Sequence, residues 1–133
     1  MKYLAKNKFF YKNRARFENS FRLIIYQLLN FNISTVKLKK SGLKINLLNH
    51  TSLGIISEIF FKNVYKTNLF DIDKNDLIID IGANIGVFSL YASQFTNNNI
   101  FAFEPVISNF KILQKNVRQN GLKNIKPINK GIT

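Results

Sequence analysis

Two carboxylates and two glycines, set at fixed distances in one short stretch, are the residues here best suited to chemistry. Residues 77–105 read LIIDIGANIGVFSLYASQFTNNNIFAFEP. Asp80 follows an apolar run of Leu77, Ile78 and Ile79, Gly82 and Gly86 punctuate the next turn, and Glu104 closes a second apolar run. A dinucleotide loop runs G-x-G-x-x-G and needs its middle glycine to admit a pyrophosphate. Asn84 stands at that position, which disfavours NAD or FAD. No Gly-Lys-Ser/Thr follows, which excludes a phosphate-binding P-loop. The pattern D-x-G-x-x-x-G, with an acid at the end of the next strand, suits S-adenosylmethionine (SAM). That molecule has no pyrophosphate but carries a cationic amino group, a carboxylate and a ribose diol. In this reading Gly82 and Gly86 let the backbone pass close to the cofactor, and Asp80 orients the turn or meets the amino-acid end. Asn84 holds the loop or touches the cofactor's polar end, and Glu104 accepts both ribose hydroxyls. Small residues in such a turn also serve close packing, and a strand-end acid also caps a helix. Two glycines, two strand-end acids and their order together favour the ligand.

The elements that must position these residues follow from the hydrophobic period. From residue 77 the order is β-α-β-α-β, which implies a parallel sheet with right-handed crossovers. Ligands in such sheets sit beyond the carboxyl ends of the strands, where Asp80, the 82–86 loop and Glu104 fall. The second helix spans 108–120, with Phe110, Leu113 and Val117 inward and Gly121 placed for a left-handed cap. Residues 125–128 form a third strand, with Pro127 marking an edge or strand end.

Upstream, Phe17, Phe21, Ile24, Ile25, Leu28 and Leu29 recur at helical spacing, predicting a basic amphipathic helix over 7–30 packed on its own domain. Val36 and Leu38, then Leu43, Ile45 and Leu47, alternate with polar residues around Gly42, predicting a β-hairpin over 35–48 with its lysines outward. Thr51 or Ser52 is placed to cap a helix over 53–65, with Ile56, Ile59, Phe60 and Val64 inward and Glu58 and Tyr65 on one face. His50, just before it, reads as polar surface. Asp71, Asp73 and Asp76 lack the central glycine and closing Glu of a calcium loop and read as a turn.

The bulk properties bound the function classes. With 133 residues the chain is one domain or part of one, and 46% hydrophobic residues with 13 Phe argue against disorder. The absence of cysteine and the single His exclude disulfides, thiolate metal sites and a multi-histidine centre. The net charge of +13 invites a nucleic-acid or anionic-membrane reading. The bases are dispersed, however, and 16 are Lys against 4 Arg, whereas bidentate phosphate recognition favours Arg. There is thus no firm nucleic-acid signal. With no signal peptide and no apolar run of membrane-spanning length, a soluble, cytoplasmic protein is expected.

Asp80-Ile81-Gly82-Ala83-Asn84-Ile85-Gly86, Phe103-Glu104-Pro105, Asn116 and Asn120-Gly121, with Glu58 and Tyr65 upstream, resemble the FkbM family of SAM-dependent methyltransferases. The resemblance covers residues 50–133. It implies a Rossmann-like class I methyltransferase fold, three-layered with a seven-stranded sheet, and methyl transfer from SAM to a small-molecule or sugar hydroxyl. Two parts are expected: an amino-terminal helix and hairpin over 1–50, and a partial SAM-binding domain over 51–133. With about three of seven strands present, the chain is read as a cofactor-binding fragment inactive alone, its carboxyl-terminal half elsewhere and its third strand left with an open, apolar flank. No catalytic base is identified. The alternative is a non-catalytic basic module for RNA or an anionic membrane surface.

Overall fold

The structure, a computed structural model, describes residues 14–18, 20, 33–49, 51–62 and 71–132. Strands β1 (Thr35–Lys37) and β2 (Lys44–Asn46) pair antiparallel with Val36 opposite Ile45. Gly42 makes the turn in the left-handed conformation, φ 72°. Val36, Leu38, Leu43, Ile45 and Leu47 are buried, while Lys39, Lys40 and Lys44 face solvent. The alternating period selects these two faces, because successive side chains on a strand point opposite ways.

A helix through 7–30 is not what residues 14–18 form. Arg14–Arg16 make one 3₁₀ turn, and Phe17 forms an antiparallel bridge to Leu38. The backbone N–H of Glu18 donates to the Lys37 carbonyl and that of Lys39 to the Arg16 carbonyl, each at 2.9 Å. The hairpin's outer strand offers unpaired backbone groups, and this segment satisfies them. That demand overrides the local helical period. Phe17 is buried as expected, but as a strand residue set edge-on to Phe61 at 5.4 Å. Ser20 is helical, and the rest of the predicted helix lies outside the described residues, as do His50, Val64 and Tyr65.

Helix α1 (Thr51–Phe61) buries Ser52, Ile56, Ser57 and Ile59. Its first turn is held by Asn49, neither Thr51 nor Ser52 being the cap. The Asn49 side-chain oxygen accepts the Thr51 N–H at 3.0 Å, and the Ser52 N–H donates to the Asn49 carbonyl. Ser52 turns back instead, accepting the Leu48 N–H. Asp73 and Asp76 make the expected turn, the Asp73 N–H donating to the Asp76 carboxylate at 2.8 Å.

The rest of the described chain is a Rossmann-like α/β unit. Strand β3 (Ile78–Ile81), helix α2 (Val87–Ala92), strand β4 (Ile100–Phe103), helix α3 (Ile107–Gln119) and strand β5 (Ile125–Ile128) follow in order. The strands lie side by side as β3-β4-β5, all parallel, with Ile78 beside Ile100 and Ile100 beside Ile125. Both crossovers step in one direction, so right-handedness sends α2 and α3 to the same face. Asp80, Ile100, Ala102 and Ile125 are buried on that face. On the other, Ile79 is 56% and Ile81 65% exposed, with Leu77 also exposed just before the strand. Exposed apolar surface was expected on the third strand; among the described residues it is concentrated on the first.

Helix α3 ends as Gly121 predicts. Gly121 has φ 64°, its N–H donates to the Arg118 carbonyl, and the Leu122 N–H reaches back to the Val117 carbonyl. This pair of bonds is a Schellman motif. Two asparagines on one face of α3, one turn apart, hold the hairpin. Asn116 Oδ1 accepts the Asn46 N–H at 2.7 Å and its Nδ2 donates to the Asn46 carbonyl at 3.2 Å. Asn120 does the same for Lys44, at 2.9 and 2.7 Å. Four helical residues rise about 6 Å and two strand residues about 6.8 Å, so the two periods match. The outer edge of β2 is thereby paired by side-chain amides.

Gly86 has φ 86°, and a Cβ there would collide with the Leu113 side chain. Left-handed strain and overpacking together should make Gly86→Ala cost about 2–4 kcal/mol in urea unfolding. The cost should shrink in a Leu113→Ala background, which relieves the collision but not the strain. An equal cost in both backgrounds would refute the collision.

Candidate functional site

The residues singled out by spacing meet at the carboxyl ends of β3 and β4. Beyond Ile81 the chain curls over the end of β4: the N–H groups of Gly82 and Ala83 both donate to the Phe103 carbonyl at 2.9 Å. The next N–H, of Asn84, donates to Glu104 Oε2 at 2.8 Å. Three successive loop donors are therefore aimed at the neighbouring strand. Gly82, Asn84 and Gly86 all have positive φ, at 74°, 54° and 86°. Asn84 thus adopts the conformation a glycine would take, which asparagine tolerates better than most residues. Its side chain nevertheless occupies space that a dinucleotide loop keeps clear. A Cβ built on Gly82 would meet no protein atom within 4 Å, so open space lies over that residue.

Glu104 is buried and holds three donors. Oε2 takes the Asn84 N–H; Oε1 takes the Val106 N–H at 2.9 Å and the Asn109 side-chain amide at 3.4 Å. One carboxylate thereby ties the β3–α2 loop to the start of α3. A carboxylate has about four lone-pair positions, so in this arrangement about one remains for a ligand. Asp80 is buried beneath the same loop, where its Oδ2 accepts the Ser89 hydroxyl at 2.6 Å. Ser89 belongs to α2, so this bond fixes the helix against β3. Burial pushes the Asp80 carboxyl above its usual value of 3.8; hydrogen bonds from Ser89 oppose the shift, and the nearby Glu104 charge adds to it.

A groove of about 380 Å³ opens beside the loop. Ile55 and Ile59 of α1 and Ile79 and Ile81 of β3 make its apolar wall; Asp80, Gly82 and Asn84 supply its polar side. Glu104 does not line it. Sequence reasoning therefore brought Asp80, Gly82, Asn84, Gly86 and Glu104 to one place but missed the contribution of α1. It also missed Ser89 and Asn109, and it named Asn116 in the family resemblance without giving it a role. Asn116 had a signal: it lies among Leu113 and Val117 on the inward stripe of α3, where a polar residue needs partners. Among the described residues no cluster of His, Asp or Glu could hold a metal ion, and no helix is long and apolar enough to cross a membrane.

No family model matches the chain. Methyltransferase sdnD of Sordaria araneosa is 32% identical over 84 residues, 59% of this chain and 32% of that protein. Methyltransferase 1 of Beauveria bassiana is 33% identical over 72 residues, 53% of this chain and 28% of that protein. The AMB antimetabolite synthetase AmbE of Pseudomonas aeruginosa is 37% identical over 71 residues, 53% of this chain and 3% of that protein. The chain thus spans about a third or less of the length of the curated relatives it matches. Among solved structures, TYW2 of M. jannaschii in complex with AdoMet superposes with a TM-score of 0.51 at 19% identity, over 71% of this chain and 42% of that one. The M. jannaschii tRNA m1G37 methyltransferase gives 0.50 at 21% identity, over 73% and 30%. The fold is the Rossmann-like fold of class I SAM-dependent methyltransferases. Placement in the FkbM family does not stand: no family model supports it, and the fold is shared with these two proteins. The motif residues behind that resemblance are largely ones the fold itself requires, such as a glycine turn and a strand-end acid.

The raised Asp80 carboxyl carries a pH signature. A carboxyl titrating higher in the folded state binds more protons there than in the unfolded chain, so its contribution to stability falls as pH rises from its ordinary value through the raised one. Asp80→Asn keeps an acceptor for Ser89 and removes the titration. Subtracting variant from wild-type unfolding free energies between pH 4 and 7 should show the wild type losing ground with rising pH. A flat difference would show that Asp80 is not perturbed.

Proposed function

We propose that the chain binds SAM at the 82–86 loop and takes part in methyl transfer to a small-molecule acceptor. The observation that carries this is the open space over Gly82 in a left-handed turn at the carboxyl ends of two parallel strands, with a buried carboxylate on each. The fold, shared with a protein solved in complex with AdoMet, supports it. Bound SAM would supply an electrophilic methyl group on a sulfonium. Gly82 gives the adenosyl and amino-acid parts access to the backbone, and Gly86 sets the loop's exit into α2. Asn84 shapes the loop and donates its N–H to Glu104. The remaining lone-pair position of Glu104 is offered to a ribose hydroxyl, so one hydroxyl rather than two is the direct partner in this arrangement. Asp80 acts by holding α2 through Ser89, which is its turn-orienting role. Orientation is the main catalytic resource for such a displacement, reaching about 7–11 kcal/mol in intramolecular models.

The acceptor class is supported by the name of one relative, an antimetabolite synthetase. A hydroxyl oxygen as acceptor rested on the FkbM resemblance, which does not stand.

Two glycines give a matched test. Gly82 and Gly42 have φ of 74° and 72°, and neither has a protein atom within 4 Å of a built Cβ. Gly82→Ala and Gly42→Ala should therefore lose similar stability, about 1–2 kcal/mol each. Only Gly82→Ala should weaken S-adenosylhomocysteine binding in calorimetry, by tenfold or more, with NAD binding absent throughout. Equal affinity in the two variants would remove the loop from the cofactor site.

A further inference from the structure

We propose that Asn116 is a positioning residue for the 82–86 loop. Its effect on the loop stands on geometry alone, whereas its effect on ligand binding rests on the SAM reading above. Asn116 is fully buried, and its side-chain amide joins three segments. Nδ2 donates to the Ile85 carbonyl at 2.9 Å and to the Asn46 carbonyl at 3.2 Å. Oδ1 accepts the Asn46 N–H at 2.7 Å and its side-chain Nδ2 at 2.9 Å, with Gln119 Nε2 at 3.3 Å.

The contact with Ile85 matters because of where that carbonyl sits. Ile85 is flanked by Asn84 and Gly86, both in the left-handed region. The Ile85–Gly86 peptide is held at two points: the Gly86 N–H donates to the Ala83 carbonyl at 2.8 Å, and the Ile85 carbonyl accepts from Asn116, so loss of the second bond leaves only the first to orient it beside a glycine that offers little resistance. The loop's N–H side is held by Phe103 at the end of β4 and by Glu104 just after it. Its carbonyl side is held at Ile85 by Asn116, from α3. The loop is therefore tied to the strand ends through its N–H groups and to α3 through the Ile85 carbonyl. Asn120 provides the contrast. It clamps the hairpin through Lys44 in the same manner, and its hydrogen bonds reach no residue of the loop.

The experiment compares Asn116→Asp with Asn120→Ala in the full chain. Asn116→Asp keeps an acceptor for the Asn46 N–H but loses the donor to Ile85. Without ligand, amide hydrogen exchange over 83–86 should quicken in Asn116→Asp and not in Asn120→Ala, while β4 and β5 amides stay matched. S-adenosylhomocysteine affinity should fall about tenfold in Asn116→Asp, as for a lost buried hydrogen bond, and stay within twofold of wild type in Asn120→Ala. If the buried acid prevents folding, Asn116→Ser gives the same comparison without a charge. Loop exchange no faster in an Asn116 variant than in Asn120→Ala would overturn the proposal. Faster exchange with unchanged affinity would overturn its bearing on the ligand. A wild type that binds no S-adenosylhomocysteine would sink the SAM reading, while the exchange comparison would still decide the role of Asn116.

Discussion

A side-chain amide can be buried only if its donors and acceptor find partners, because an unpaired buried polar group costs about 1–3 kcal/mol. Asn116 meets that condition by reaching the hairpin, the β3–α2 loop and its own helix at once. The described core is arranged around this requirement. The hairpin presents a strand edge whose backbone groups need pairing, and α3 pairs them with Asn116 and Asn120 at matched helical and strand spacing. Apolar residues then close around the joint: Ile45 and Leu113 are fully buried beside it. Satisfying polar groups thus decides which surfaces meet, and burial of Leu, Ile and Val supplies most of the stabilisation.

The two carboxylates divide the same labour differently. Glu104 spends most of its hydrogen-bonding capacity on backbone N–H groups from the loop and from the start of α3. Asp80, also buried and with Ser89 as its side-chain partner among the described residues, feels desolvation more than compensation. A carboxylate at each strand end is therefore first a structural fastener for the glycine turn. In the proposed SAM site, Glu104 therefore has less to offer a ribose than a free strand-end acid would.

Both right-handed crossovers step the same way, so α2 and α3 share one face of the sheet and leave Ile79 and Ile81 open on the other. The groove lies at this boundary, walled by those two residues and by Ile55 and Ile59. Helix α1 thereby belongs to the candidate site, although it lies well before the glycine turn in the chain.

The βαβαβ order, the hairpin, the Gly121 cap and the convergence of Asp80, Gly82, Asn84, Gly86 and Glu104 were legible in the sequence. Each depends on local information: a period of two or of about four, a glycine where φ must be positive, an acid at the end of an apolar run. Phe17 was misplaced because its burial is set by a strand edge some twenty residues away, which overrides a local helical period. Asn116 and Ser89 were invisible as partners because nothing near them in sequence names Asn46, Ile85 or Asp80. The family resemblance failed for a related reason, since short motifs record what a glycine turn and a strand end need rather than what sets one family apart. Sequence alone determined the hairpin, the βαβαβ elements and the strand-end address of the site. Tertiary structure decided what the side chains at that address are bonded to, because hydrogen bonds between distant segments exist only once packing has brought their donors and acceptors within about 3 Å.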